Sequence, residues 1–317
     1  MRVRFGYVAI ALDVPEGSPN KTVTIKNLEK ITDVEARISR LCRITRENLS
    51  TTLRILRYNA GNQIHVYRFT SKTVPLATHM IVAGWDYLQE FKEEWQEIGA
   101  YIRKHEMRVS AHPDHYTLLN SPQPEVLAAS LRDLEYHVSM FEAMGIEEGP
   151  QLVLHVGGVY RDKQSSLDRF VREFEQLPER VRSRLMLEND DKMYGAMDVL
   201  RLCQRINRPM VLDIHHHAYF NQGEQLEDLW PEIVETWGEH RPKIHLSSPK
   251  SSKDFRGHAD WINVDDFLPF VRIAKIIDRD FDVMVEAKQT DLAMFRLIRD
   301  MEDVGGVNRI EQATVEL

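Results

Sequence analysis

Six residues that can bind a divalent metal ion stand at the ends of short apolar runs in the sequence. They are His112, His155, Glu188, Asp213, His245 and Glu286. Imidazole nitrogen suits Zn²⁺ and Mn²⁺, and carboxylate oxygen suits Mn²⁺ and Mg²⁺. A carboxylate can also bridge two ions about 3.5–4 Å apart, which together can clamp the attacking and leaving oxygens of a phosphodiester. Because the pattern recurs at independent positions, it predicts a site for two or three divalent ions.

Glu188, within the run Leu-Glu-Asn-Asp, is the predicted bridge between two ions. Two histidines would complete the first ion's site, namely His112 and His155. Three residues would complete the second, namely Asp213, His245 and Glu286. His216 and His258 could hold a third ion. The run 215–217 consists of three histidines, and alternation along an extended backbone would direct either His216 or its two neighbours inward.

Eight apolar runs, six of which end on these residues, predict parallel β-strands. They are Val3–Ala9, Ile64–Phe69, Arg108–His112, Gln151–His155, Arg184–Glu188, Pro209–Asp213, Pro242–His245 and Asp282–Glu286. Their cores are continuously apolar, as expected for parallel strands that are covered on both faces. An amphipathic stretch follows each run. Strand followed by helix, repeated eight times, predicts a TIM (β/α)₈ barrel with a metal cluster at its C-terminal face.

The stretches between the runs predict eight helices. They are Val34–Asn59, Trp85–His105, Pro124–Met144, Asp162–Leu177, Ala196–Ile206, Leu226–Trp237, Val264–Ile277 and Asp291–Val304. Two connections after strands are long, Ala11–Asp33 and Thr70–Gly84, and long loops at this face of a barrel usually shape a substrate groove. Since no Pro/Gly/Ser-rich linker divides the chain, we expect one domain over residues 1–317.

The composition indicates a globular protein outside the membrane. Hydrophobic residues make up 43% of the chain, which is enough for a full core. No apolar run approaches the roughly 20 residues that span a bilayer, and the first residues are more typical of a strand than of a signal peptide. Cys42 and Cys203 lie in predicted helices, where reduced packing thiols are expected and a disulfide is the alternative. These features predict a cytoplasmic protein.

Charge is distributed unevenly along the chain. The net charge is −8, yet residues 1–80 carry 13 Lys and Arg against 6 Asp and Glu, so that the remainder has a balance of −15. The basic excess is densest in six arginines, namely Arg37, Arg40, Arg43, Arg46, Arg54 and Arg57. The first four are three residues apart and would form one side of a helix. This side either follows a phosphate backbone or is a solvated basic face.

Eight motifs, in this order, resemble those of UV damage endonucleases over nearly the whole chain. They are Phe5-Gly6-Tyr7, Val74-Pro75-Leu76-Ala77-Thr78-His79, His112-Pro113 with Tyr116, Leu154-His155-Val156-Gly157-Gly158, Leu187-Glu188-Asn189-Asp190, Asp213-Ile214-His215-His216, Pro242-Lys243-Ile244-His245-Leu246-Ser247 and Val285-Glu286-Ala287-Lys288. That family is similar in fold and metal site to the endonuclease IV class of abasic-site nucleases. The resemblance implies a TIM barrel with up to three metal ions, typically manganese. It also implies incision of damaged double-stranded DNA immediately 5′ of pyrimidine dimers or 6-4 photoproducts, and possibly other lesions, which leaves a 3′-hydroxyl.

The resemblance also assigns roles to individual residues. It implies eight metal ligands, namely His112, His155, Glu188, Asp213, His216, His245, His258 and Glu286. Lys243 matches a lysine that lies beside the metals and can be carboxylated. Because an ammonium would be repelled by nearby cations, a carbamate or a depressed pKa is expected there, and pairing with an acid is the alternative. His79 matches a histidine near the catalytic mouth, and with Glu188 and Lys243 it completes the implied catalytic set.

Lesion probing is assigned by the resemblance to Tyr7 and Tyr116, and His115, which precedes Tyr116, is expected to take part. Aromatic stacking on exposed bases contributes about 1–3 kcal/mol per base, although a tyrosine at a barrel mouth also packs on the core. The chain departs from the family at three places. It has His115 where the family has Gln, and apolar residues at 10–11 where the family has Asn. Arg256 replaces an Asp that endonuclease IV relatives carry near the third ion.

Two other functions fit the same residues. Metal-dependent sugar isomerases and epimerases share the barrel and its ligands, but they need no arginine-rich arm or wide groove. A non-catalytic damage-binding protein would use a structural metal, and such sites are normally closed by four ligands. We therefore expect an endonuclease that acts as a monomer through metal-activated water, with Mn²⁺ as the expected ion and Zn²⁺ or Mg²⁺ as alternatives.

Overall fold

The structure, a computed structural model, describes residues 1–147 and 149–317. Its strands, in chain order, are β1 Arg2–Val8, β2 Val66–Phe69, β3 Arg108–Ala111, β4 Leu152–His155, β5 Leu185–Glu188, β6 Met210–Asp213, β7 Lys243–Leu246, β8 Pro249–Ser251, β9 Asp254–His258, β10 Phe281–Val285, β11 Asn308–Glu311 and β12 Thr314–Glu316. Strands β1 to β7 and β10 pair in parallel, and β10 pairs back onto β1. The sheet therefore closes into the predicted eight-stranded TIM barrel.

Helices surround the barrel. They are α1 Ile25–Glu29, α2 Val34–Gly61, α3 Tyr87–Glu90, α4 Lys92–Lys104, α5 Pro124–Ala143, α6 Lys163–Gln176, α7 Glu179–Arg182, α8 Ala196–Ile206, α9 Ile214–Tyr219, α10 Leu226–Thr236, α11 Val264–Ile277 and α12 Thr290–Val304, with a 3₁₀ turn at Met80–Val82. The helix predicted over 85–105 is two helices, because the chain leaves helical geometry at the buried Phe91. The short helices α1, α7 and α9 were not predicted. No helix in the described part of the chain is both long and apolar enough to cross a membrane.

Two hairpins lie outside the predicted pattern. Strands β8 and β9 form one of them directly after β7. Strands β11 and β12 form the other, and β12 pairs antiparallel with β1. Both are built from short strands that carry polar residues, so they lack the apolar runs that identify the barrel strands.

Side-chain direction in the barrel alternates along each strand. Residues two positions before the metal-ligand positions therefore point into the barrel as well. Three of them, Val153, Met186 and Val211, pack with Trp237 inside the barrel. The residues that alternate with these inward-pointing positions, such as Leu154 and Leu187, point outward and join the main core under the helices. The ligand positions thus rest on an apolar plug on the β4–β6 side.

The basic side of α2 is engaged within the chain. Arg46 lies 3.2 Å from Glu94 of α4, and Arg57 lies 3.3 Å from Glu97 of the same helix. Arg37 and Arg54 donate to backbone carbonyls of the long first loop. Four of the six arginines thus have partners within the chain, whereas Arg43 is exposed, and the phosphate-following role of this side stays a prediction. Cys42 and Cys203 are both free, as predicted.

Candidate metal centre

The strand register brings the six predicted ligands to one mouth of the barrel. His155 on β4 lies beside Glu188 on β5, and Asp213 on β6 lies beside His245 on β7. Two further ligands directly follow strand ends, namely His112 after β3 and Glu286 after β10. Because parallel strands of a barrel end at the same face, these side chains converge there.

Glu188 is the centre of the cluster. Its side chain is only 2% exposed. Its Oε2 lies 3.0 Å from His112 Nε2, and its Oε1 lies 2.7 Å from His245 Nδ1. Three groups of ligand atoms, each within 4.8 Å of one another, share this carboxylate. The groups are His112, His155 and Glu188; Glu188, Asp213 and His216; and Glu188, His245 and Glu286. This geometry matches the bridging position expected of Glu188.

Several buried polar atoms of the cluster have no hydrogen-bond partner among the described residues. They are His155 Nδ1, Asp213 Oδ2 and His245 Nε2. Buried polar atoms in folded proteins are nearly always paired, and an exception calls for an explanation such as a bound ion. Imidazole nitrogens and carboxylate oxygens are ligands for Mn²⁺ or Zn²⁺. The residues present therefore fit a set of divalent metal ions.

The pKa values of the three carboxyl groups at the mouth are shifted by burial and by neighbouring charges. Burial raises the pKa of Asp213 to about 6, and repulsion from Glu188 and Glu286 adds to this rise. Burial also acts to raise the pKa of Glu188, but His245 and His155 hold it well below its usual range. The pKa of Glu286 is about 2, because Arg68 and His245 outweigh the effect of burial. Divalent cations would stabilise all three carboxylates.

His216 is the histidine of the 215–217 run that faces the cluster. The run lies in α9, so the alternation of an extended backbone does not apply. The Asp213 carboxylate caps this helix by accepting from the His216 backbone N–H at 2.7 Å. The ring of His216 lies 3.6 Å from Asp213 Oδ2. His215 instead stacks on Phe255, at 5.4 Å between ring centroids.

His258 lies at the edge of the cluster rather than within it. Its Nδ1 is 3.9 Å from Glu286 Oε2, and it belongs to none of the three ligand groups. The β8–β9 hairpin carries His258 and is anchored by Phe255, which stacks on both His215 and Tyr219. Arg256 of the same hairpin forms an ion pair with Asp191. The position that the resemblance associates with a third ion is thus held by an internal ion pair.

Lys243 lies inside the barrel, two residues before His245 on the same face of β7. It is fully buried, and its Nζ donates to Ser110 Oγ at 3.0 Å. Burial holds the pKa of Lys243 well below its usual range, and repulsion from Arg108 and Arg68 lowers it further. No carboxylate of the described residues forms an ion pair with Nζ. This environment matches the expected depressed pKa rather than pairing with an acid.

His79 is separate from the ligand cluster. Its Nδ1 accepts from the backbone N–H of Ile81 at 3.1 Å and caps the 3₁₀ turn. Its exposed side chain lines a groove of about 550 Å³ between the 77–87 segment and α5. None of the eight predicted ligands lines this groove. The structure therefore does not bring His79 together with Glu188 and Lys243.

The two tyrosines predicted to probe DNA occupy opposite environments. Tyr116 is 71% exposed, in the loop between β3 and α5, and the His115 ring lies against it at 4.1 Å between centroids. Tyr7 is 0% exposed, and its hydroxyl donates to Asn59 of α2 at 2.6 Å. In β1, Tyr7 points outward to the helices because Gly6 and Val8 share the inward face. This structure thus buries Tyr7 between β1 and α2, and its lesion-probing role stays a prediction.

Arg68 is a further residue at this mouth, which was not predicted from the sequence. It lies on β2, and its guanidinium forms an ion pair with Glu286. A signal was present, since Arg68 is the one charged residue within the apolar run 66–69. An arginine inside a buried strand needs a partner or a ligand.

The fold and the site define a class of protein, a TIM barrel whose strand ends gather overlapping His and carboxylate ligands. A family model described as UV-endonuclease UvdE matches residues 3–317. The chain belongs to this UV-endonuclease family. It is 41% identical to the UV DNA damage endonuclease of Bacillus thuringiensis subsp. konkukian (strain 97-27), and the match covers 100% of both chains.

Two solved structures are similar in fold to this chain. The crystal structure of SacUVDE is 30% identical, with a TM-score of 0.84 over 95% of this chain and 99% of that one. Endonuclease IV from Thermus thermophilus is 14% identical, with a TM-score of 0.56 over 95% of this chain and 100% of that one. At that identity the second likeness shows a common fold alone.

Proposed function

We propose that the protein is a metal-dependent endonuclease that incises damaged double-stranded DNA immediately 5′ of UV photoproducts and leaves a 3′-hydroxyl. Membership of the UV-endonuclease family, over essentially the full chain, supports a DNA repair endonuclease. The observation that carries the chemistry is the set of three ligand groups that share the buried Glu188. Such a set is suited to adjacent ions that act on one phosphate.

Seven residues at the mouth would hold two or three ions, of which Mn²⁺ suits the mixed nitrogen and oxygen ligands best. They are His112, His155, Glu188, Asp213, His216, His245 and Glu286. We place His258 as a further ligand at the edge of the cluster. When bound, such ions lower the pKa of water and neutralise developing charge on the phosphate. The protein's own part is to fix the ligands, with Glu188 held by His112 and His245.

Lys243 and His79 have different places in this proposal. Lys243 lies directly beneath the ligands, where burial lowers the pKa of its amine and favours a neutral or carboxylated form that would bring no positive charge to the ions. We assign His79 to the substrate side of the mouth. It follows Thr78, which lines a second groove together with Tyr116. A contact between His79 and the DNA backbone agrees with its exposure.

Lesion recognition is assigned to Tyr116 with its neighbour His115. A damaged site is distinguished by how easily its bases unstack, so a probing side chain must be exposed and able to stack. Tyr116 meets both requirements, and His115 lies against its ring. Next to them is a groove of about 350 Å³, whose lining includes Thr78, Asp114 and Tyr116. The lesion would be drawn toward this side of the mouth.

All the ligands come from one chain, so the site needs no second copy. We therefore propose a monomer that acts as a single endonuclease domain over residues 1–317. Sugar isomerases share the barrel, as the xylose isomerase domain protein from Planctomyces limnophilus shows at 12% identity and a TM-score of 0.51 over 78% of this chain and 89% of that one. That likeness extends to the fold alone.

The deciding experiment uses the purified protein, Mn²⁺ and an end-labelled duplex that contains one defined cyclobutane dimer. We expect one nick immediately 5′ of the dimer, with a 3′ end that a polymerase can extend. The same duplex without the dimer is the control and should stay intact. Ketose formation from an aldose under these conditions, without any nick, would assign the protein to the isomerases. Tight binding without a nick in saturating Mn²⁺ would make it a damage-binding protein.

A further inference from the structure

Arg68 is a buried cation at the floor of the mouth. It pairs in register with Val8 of β1 and with Ser110 of β3, whose hydroxyl contacts Lys243 inside the barrel. It is therefore directed inward, and it is only 9% exposed. Its NH1 donates to Glu286 Oε1, the oxygen that lies 3.1 Å from His245 Nδ1. The guanidinium thus touches one of the three ligand groups.

Most of the donor capacity of Arg68 is unused. A guanidinium has five N–H donors, and the described residues provide a single hydrogen bond, from NH1 to Glu286. The arginines at the other end of the barrel differ. Arg4 donates through both Nε and NH2 to Asp282, and Arg108 donates to Asp282 and to the carbonyl of Arg241. The remaining N–H groups of Arg68 are not buried without a partner, so they reach the open mouth beside the ligand groups, where they can donate to a further acceptor.

The charge of the site indicates what kind of acceptor this is. Three carboxylates at the mouth contribute three negative charges, whereas two or three divalent ions bring four to six positive ones. Glu286 would then be shared between Arg68 and an ion, and the guanidinium would face a net positive site. Because Glu286 would be shared, a further negative group would stabilise the buried guanidinium. The planar fork of arginine matches the oxygens of a phosphate.

We propose that Arg68 is a further catalytic residue, whose free N–H groups bind the non-bridging oxygens of the phosphate at the metal centre. The proposal rests on the proposed function for the identity of that phosphate as a DNA phosphodiester. Lys243 does not provide the same contact, since its amine is bound to Ser110 in the layer beneath. If Arg68 acted only on Glu286, its removal would change metal binding and leave phosphate binding otherwise unaltered.

The test compares Arg68→Met and Arg68→Lys with the wild-type protein, with inorganic phosphate as the probe. Affinity of the Mn²⁺-loaded protein for phosphate is measured by calorimetry, and affinity for Mn²⁺ is measured separately without phosphate. We expect Arg68→Met to weaken phosphate binding by about 10- to 100-fold, because it loses charged hydrogen bonds. Arg68→Lys keeps the charge and loses the fork, so a smaller loss is expected. Mn²⁺ affinity should be unchanged or tighter, since a competitor for Glu286 is gone.

The control is Arg46→Met, which removes an arginine that is ion-paired with α4 on the outside of the barrel and should leave both affinities unchanged. Unchanged phosphate affinity in Arg68→Met overturns the proposal. A parallel loss of Mn²⁺ and phosphate affinity overturns it too, in favour of a role confined to positioning Glu286. Should Arg68→Met not fold, the conservative Arg68→Lys decides by the same two affinities.

Cleavage of damaged duplex separates this inference from the function on which it rests. Wild-type protein that binds phosphate through Arg68 but nicks no damaged duplex would contradict the proposed function alone. Nicking by the wild type that persists in Arg68→Met, with unchanged kcat and KM, would contradict the role of Arg68 alone.

Discussion

Charged residues are buried at both ends of the barrel, but their pairing differs between the two ends. At the closed end, Asp282 is fully buried and lies 2.8 Å from both Arg4 and Arg108, with Arg241 at 3.8 Å. At the open mouth, carboxylates face one another, and His155, His245 and Asp213 each have an atom without a hydrogen-bond partner among the described residues. Burial is therefore similar at the two ends, but hydrogen-bond satisfaction is not. The ion pairs of the closed end stabilise the fold, whereas the open mouth has groups that are suited to bind a ligand.

The largest expected effect is the loss of cleavage in Glu188→Gln. The substitution keeps the shape of the side chain but removes the charge that all three ligand groups share. We expect cleavage of the dimer-containing duplex to fall by roughly a thousandfold or more, while the melting temperature changes little. Glu97→Gln, on the outer surface of α4, is the matched control and should cleave normally. Cleavage by Glu188→Gln at the wild-type rate would show that Glu188 has no part in the reaction.

The counterpart at the closed end is Asp282→Asn, which should affect stability instead. It would leave Arg4 and Arg108 buried without their carboxylate, and breaking a buried ion pair in this way costs about 3–5 kcal/mol. We expect a lower free energy of unfolding in urea at pH 7, together with unchanged Mn²⁺ affinity of the folded protein. A variant as stable as the wild type would mean that water or neighbouring groups compensate for the charge.

The same carboxylate gives the closed end a defined pH dependence. The arginines hold the pKa of Asp282 below its usual value, against the effect of burial. A depressed pKa means that its stabilising contribution is present above the unfolded value of about 3.9 and is lost as pH falls through the folded value. We therefore expect the stability gap between wild type and Asp282→Asn to narrow at acid pH. A gap that is independent of pH down to full protonation would contradict this.

Metal binding at the mouth should have a smaller effect, which is measured as a shift of the melting temperature. An ion that binds only the folded state stabilises it by about 2.7 kcal/mol at a hundred times its Kd. We expect Mn²⁺ to raise the melting temperature of the wild type, and EDTA to reverse the rise. Asp213→Asn should show a reduced shift, whereas Asp282→Asn should show the full shift from a lower starting temperature. Equal shifts in all three proteins would place the Mn²⁺ outside the predicted cluster.

How much of this could be predicted from the sequence depends on how local the signal is. The barrel strands and their terminal ligands are contiguous in the sequence, so apolar runs that end on residues such as Glu188 identified them. The ion pairs Arg68–Glu286 and Arg108–Asp282 could not be predicted in this way, because the partners are more than 170 residues apart along the chain. The β8–β9 hairpin was missed for another reason, since its short strands are largely exposed and carry no periodic apolar pattern.

Side-chain direction was the other quantity that the sequence left undetermined, and Tyr7 illustrates it. A shift of one position along a strand moves a side chain from the barrel interior to the helix-facing side. Tyr7 occupies the helix-facing side, against Asn59, although its motif resembles one that probes DNA. Tyr116 lies in a loop, where strand alternation does not apply, and it reaches solvent.

The smallest expected effect tests this difference between the two tyrosines. Tyr116→Ala should lose preference for damaged over intact duplex by about 1–3 kcal/mol, or roughly 5- to 150-fold, because stacking on an unstacked base is removed. Tyr7→Phe removes only the hydrogen bond to Asn59, so it should cost about 0.5–1.5 kcal/mol of stability without changing that preference. Competition binding with damaged and intact duplexes, together with urea unfolding, measures both quantities. A change of preference in Tyr7→Phe would mean that β1 influences lesion recognition through α2, and unchanged preference in Tyr116→Ala would exclude its probing role.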